Sequence, residues 1–134
     1  MQPFLMTSKM TTIQGVFYPT GYAFIMFPDA GNAEDAARKI GQAGFDDQDV
    51  MFLTPSVILR EIGKVEGDST VELPSVGTEG ATVNKYINLA RQGHHGLMVK
   101  ASSSEDSERL MTVVREFPFS YAQKYHMLAM EYLE

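Results

Sequence analysis

Three histidines, His94, His95 and His126, are the side chains in this 134-residue chain best suited to metal or general-base chemistry. Imidazole titrates near neutral pH and is a frequent metal ligand. His94 and His95 are adjacent at the start of a short apolar run, and neighbouring residues on a strand point to opposite faces. One ion would therefore need His126, or a carboxylate such as Glu131, to complete its shell of three suitably placed ligands. The plainer expectation is a polar histidine pair in a loop. Asp46, Asp47 and Asp49 suggest a calcium loop, which needs glycine at its sixth position and glutamate at its twelfth. The sixth positions are Met51 and Phe52, so a solvated turn is expected. Gly77-Thr78-Glu79-Gly80-Ala81-Thr82 opens a helix, where backbone amides attract anions. It lacks the Gly-Lys-Ser/Thr ending of a nucleotide loop, and Glu79 repels phosphate.

Gly-x-Ser-x-Gly is absent, and the carboxylate pairs fall in helix first turns, where they cap rather than catalyse. No catalytic residue is expected, and no cofactor. Tyr121, Tyr125 and Tyr132 are more suggestive. If the last segment is a strand at a sheet edge, some of these rings face outward and offer a pairing surface, so a homo-oligomer formed through them is expected.

Composition limits the alternatives. Hydrophobic residues make up 44% and charged residues 21%, an ordinary globular balance that argues against disorder. The absence of cysteine removes disulfides, thiolate metal sites and cysteine nucleophiles, and leans towards a reducing, cytoplasmic setting. No run approaches the roughly 18 to 20 apolar residues of a membrane span, so no membrane partner is expected. The net charge of −6 disfavours nucleic acid, whose binding draws on phosphate neutralisation.

The elements that must position these residues can be read along the chain. Residues 1–10 read as a loosely ordered start, and residues 11–18 alternate weakly as a short strand closed by Pro19-Thr20-Gly21. Tyr22-Ala23-Phe24-Ile25-Met26-Phe27 is β-rich and almost wholly apolar, as a strand covered on both faces would be. Asn32 is a candidate N-cap, with Asp35 in the first turn. Ala33, Ala36, Ala37, Ile40 and Ala43 share one helical face, and Gly44 stops the helix. A strand at Val50-Met51-Phe52-Leu53 follows the acidic turn. Thr54-Pro55 starts a helix through Val57, Ile58, Leu59, Ile62 and Val65.

Residues 66–80 read as an exposed loop. A helix with Val83, Tyr86, Ile87 and Ala90 on one stripe then runs to Gly93, and Leu97-Met98-Val99 is a strand. Ser102 and Glu105 form a capping box for a helix burying Leu110, Met111, Val113, Val114 and Phe117, ended by Pro118. Residues 121–133 fit either a helix or a strand, with a strand favoured across residues 125–130.

The first and last parts match: Glu34-Asp35-Ala36-Ala37-Arg38 and Glu105-Asp106-Ser107-Glu108-Arg109 share Glu-Asp-x-x-Arg, each between apolar strands. Two such βαβ-like halves, residues 21–54 and 94–134, predict one α/β (α+β) domain. The expected form is a ferredoxin-like sandwich, with two extra helices and a loop inserted at residues 55–93.

Gly21-Tyr22-Ala23-Phe24-Ile25-Met26-Phe27 resembles the RNP1 segment of RNA-recognition motifs, which implies base stacking by Tyr22 and Phe24. It departs from that pattern in carrying Thr20 at the leading basic position and in lying too near the amino end to be a third strand. Ala33, Ala36, Ile40, Gly44, Phe45, Val50 and Leu53 resemble the first half of a bacterial general-stress-protein family of largely unknown function. The glycine-rich middle segment of that family is replaced here by amphipathic helices. The expectation is a non-enzymatic cytoplasmic binding or regulatory module, stress-related and homo-oligomeric, whose protein or small-molecule partner the residues do not identify. An RNA-binding domain is the second reading. A small metal-binding protein or enzyme around His94, His95 and His126 is the third.

Overall fold

Strand β2 (Tyr22–Phe27) is the apolar hexapeptide singled out by its sequence, and all of it but Tyr22 is buried. The computed structural model describes residues 1–11, 16–63, 77–126 and 130–134. Besides β2 it contains β1 (Gln2–Pro3), β3 (Val50–Leu53), β4 (His95–Lys100), β5 (Tyr121–Tyr125) and β6 (Met130–Tyr132). These form one six-stranded sheet in the order β1-β3-β4-β2-β5-β6. Only the β1–β3 pairing is parallel. The helices are α1 (Ala30–Gln42), α2 (Pro55–Val57, continued by a π-helical stretch at Ile58–Ile62), α3 (Gly77–Arg91) and α4 (Ser104–Val114). The chain is therefore an α+β protein, the class its sequence predicts. No helix among the described residues is long and apolar enough to cross a membrane.

The period-two alternation of β2 divides the core. Ala23, Ile25 and Phe27 join the alanine face of α1 and Leu110, Met111, Val113 and Val114 of α4 on the first face of the sheet. Phe24 and Met26 face the other way, into a second core built from Ile58 and Ile62 after α2, Val83 and Tyr86 on α3, and Phe17. The Phe24 ring stacks on Tyr86 at 4.1 Å and 18°. Gly96 on β4, the ladder partner of Met26, lies diagonally from it, and an added Cβ there would come 3.0 Å from the Phe24 ring. A side chain at Gly96 would therefore crowd that ring and require it to shift.

Several local expectations shift. Asp29, not Asn32, caps α1: its extended backbone lets Oδ1 accept from Asn32 N at 2.8 Å, whereas Asn32 is already helical. Ser103, not Ser102, caps α4 by accepting from Asp106 N at 3.0 Å. Thr54 caps α2 as its sequence implies, and Gly44, at φ +105°, takes the left-handed turn after α1. α4 ends at Val114, before Pro118 is reached, so Phe117 lies beyond the helix and is only partly buried. The shared Glu-Asp-x-x-Arg motif forms an exposed i,i+3 pair in each helix, Asp35–Arg38 at 2.6 Å and Asp106–Arg109 at 3.2 Å.

The first ten residues are not a loose start. Gln2 and Pro3 pair beside Met51 and Phe52, Phe4 N donates to Phe52 O at 3.2 Å, and Met10 is buried. Of the strand expected at residues 11–18, the described part holds only the Thr11–Phe17 bridge. The loop expected at residues 66–80 lies outside the described residues up to position 76, and its last four residues are the start of α3. In the last segment the strand sits earlier than expected. β5 spans Tyr121–Tyr125 because β2 pairs with Tyr121 to Lys124, and the chain then returns as β6. Residues 127–129 lie outside the described set.

Phe24→Ala should cost about 3 to 5 kcal/mol in urea denaturation, the usual loss for a buried phenylalanine left as a cavity. A cost under about 1 kcal/mol would show that the second core is not packed on this ring.

Candidate functional site

The sequence of β5, Tyr-Ala-Gln-Lys-Tyr, alternates between the two faces of the sheet. Tyr121, Gln123 and Tyr125 point towards α3, while Ala122 and Lys124 point towards α4. With β6 beside it, the strand forms a hairpin with a cleft on each side.

At the inner end of the α3 side, Tyr125 is fully buried and its hydroxyl lies 2.7 Å from that of Tyr86. Phe17 and Tyr18 meet the Tyr125 ring edge-on at 6.1 and 4.9 Å. Burial, then the neighbouring Tyr125, holds the Tyr86 phenol well above its ordinary range. The two hydroxyls share a hydrogen bond inside the core. Tyr125 is accordingly not part of an outward-facing oligomer surface, contrary to the sequence expectation. Tyr121 is half-buried, and only Tyr132, at 56%, is well exposed.

Further out, the side chains open. Gln123 Nε2 donates to Tyr121 Oη at 2.9 Å, which fixes that ring. Lys85 Nζ stands 5.7 Å above the centroid of the same ring, and Tyr132 leans against it at 5.9 Å. With Ala81, Thr82 and Met130 these residues line a cleft of about 400 Å³. Among the described residues no carboxylate pairs with Lys85.

On the α4 side the cleft is smaller, about 230 Å³, and is lined chiefly by Ser104, Ser107, Glu108, Arg115, His126 and Glu131. Lys124 lies behind it, 2% exposed, and donates to Ser107 Oγ at 3.1 Å. Burial lowers its pKa below the ordinary lysine value of 10.5, while Glu131 and then Asp106 pull the other way.

The histidines do not converge. His94 Nδ1 is 2.8 Å from Ser120 Oγ, whose own hydrogen goes to Met26 O, so the imidazole donates. His95 Nδ1 donates to Gly93 O at 3.1 Å. His126 follows the opposite end of β5 and pairs with Glu131 at 3.0 Å. Among the described residues no three histidines or acids lie close enough to share an ion, so the expected His94–His95–His126 set is not assembled. The base-stacking pair fails as well. Phe24 is sealed under Tyr86, and Tyr22 alone is half-exposed, across the ladder from Lys100.

Lys85, Gln123 and Lys124 were not anticipated. The usable signal was the Gln-Lys pair inside an otherwise aromatic strand, since polar side chains in such a strand need partners. No family model, curated protein or solved structure matches the chain.

The buried lysine carries a consequence for stability. Its folded pKa is depressed, so between that value and 10.5 the unfolded chain holds the extra proton, and stability rises with pH across that window. Lys124→Met should therefore be more stable than the wild type at pH 7, by about 1 kcal/mol. That difference should shrink as the pH approaches 10.5, and paired urea titrations at pH 7 and 10 measure it.

Proposed function

We propose that the chain is a binding module that takes a small planar anion in the cleft between α3 and the β5–β6 hairpin. The order β3-β4-β2-β5, with α1 and α4 on one face, supports reading the fold as a ferredoxin-like sandwich whose second face is filled by α2 and α3. That filling leaves the rim, rather than the middle of the sheet, as the place for a ligand.

The carrying observation is the Lys85 ammonium held above the Tyr121 ring at the cleft wall, without a carboxylate among the described residues to neutralise it. The cleft volume of about 400 Å³ lies in the range of small-molecule sites. Tyr121 and Tyr132 offer flat apolar surface, Gln123 and Thr82 offer polar contacts, and Lys85 offers one positive charge. A flat ring bearing a single carboxylate satisfies all three.

Benzoate and its uncharged amide, benzamide, form a matched pair of probes for ligand-observed NMR. Benzoate should show saturable broadening in the millimolar range, and benzamide should bind at least about tenfold more weakly. Lys85→Met should abolish the preference, and Tyr132→Ala should weaken both probes. Equal, non-saturable behaviour of the two probes up to about 10 mM would remove this reading.

A further inference from the structure

Lys124 occupies a position that packing alone does not call for. It is the one charged side chain buried among the described residues, at 2% exposure. An ammonium has three hydrogens to place, and the described residues supply one acceptor, the Ser107 hydroxyl at 3.1 Å. No carboxylate among them lies within ion-pair reach. The groups facing it are Asp106 and Ser107 on α4 and Glu131 on β6, its partner across the ladder. On the β2 side its ladder partner is Ala23, which has no polar group to offer.

Ser107, which holds the amine, also lines the 230 Å³ cleft between α4 and β6, so the amine's hydrogen-bond partner belongs to the wall of that space. Glu131 stands on the same wall, hydrogen-bonded to His126 at 3.0 Å. A buried amine, a histidine–carboxylate pair and a cleft thereby lie on the same face of the hairpin, opposite the Lys85 cleft.

We propose that Lys124 is a covalent capture site for small carbonyl compounds, condensing through Nζ with an aldehyde admitted by the α4–β6 cleft. The lone pair of neutral Nζ forms a bond to the carbonyl carbon as the C=O π pair moves onto oxygen; Nζ then gives up one proton and the oxygen takes one up, leaving a neutral carbinolamine. The C–O bond then breaks, the hydroxyl leaves with a proton as water, and the nitrogen lone pair closes the C=N bond. One water is lost and nothing is oxidised or reduced. The His126–Glu131 pair is the proton donor and acceptor on the cleft wall. Burial favours the neutral amine that this chemistry requires, as in other nucleophilic lysines.

The folded protein is incubated with glycolaldehyde and cyanoborohydride at pH 7, and adducts are located by peptide mapping. Lys124 should be labelled several-fold faster than the exposed Lys39, Lys85 and Lys100, because burial favours its neutral, nucleophilic form. Lys124→Met should lose the fast adduct. Glu131→Gln, an exposed substitution, should slow labelling at Lys124 and leave the other lysines unchanged. Labelling spread over Lys39, Lys85 and Lys100, with Lys124 reacting only in urea, overturns the proposal. So does a Glu131→Gln protein that labels Lys124 at the wild-type rate.

Discussion

The whole arrangement hangs on β2 being covered twice. An apolar strand between β4 and β5 has no polar side that could face water, so the fold must supply a layer on each face. The two crossover helices α1 and α4 cover one face. The stretch between the halves covers the other, with the Tyr86 ring laid flat on Phe24. Interiors pack at the density of organic crystals, and a side chain at Gly96 on the neighbouring β4 would crowd the Phe24 ring.

That double covering decides where chemistry can sit. A bare sheet face, such as a base-stacking platform needs, does not exist at the centre of this sheet. Polar side chains instead collect where the layers run out, along the terminal hairpin. There α3 and α4 each stand off from β6, and the alternation of β5 sends Gln123 to one side and Lys124 to the other. The histidines, which type alone made the leading candidates, are absorbed by local hydrogen bonds at opposite ends of the strand.

Much of the fold could be read in the residues, and much of the site could not. Hydrophobic period and punctuation mark β2, β3, β4 and all four helices, because glycine after a helix and Thr-Pro before one act locally. The caps of α1 and α4 fall at Asp29 and Ser103 because several polar residues in a row can each serve, and only the backbone angle selects among them. β5 is set by pairing with a strand about a hundred residues earlier, which no local pattern encodes. Lys85 meets Tyr121 only through tertiary packing, and the burial of Lys124 follows from its lying beneath α4. Residue type drew attention to Tyr125, and that ring turned out to be structural filling.

The two margins of the sheet are unequal. On β1, Phe4 N points inward to Phe52 O, so the preceding amide position, Pro3, is the one turned outward, and proline has no hydrogen to offer. A further strand approaching that border meets a missing donor. The opposite border, β6, presents three ordinary residues ending in the exposed Tyr132 ring. Any enlargement of this sheet by a neighbouring polypeptide is therefore polarised: it is obstructed beside the amino-terminal residues and open beside the carboxy-terminal ones.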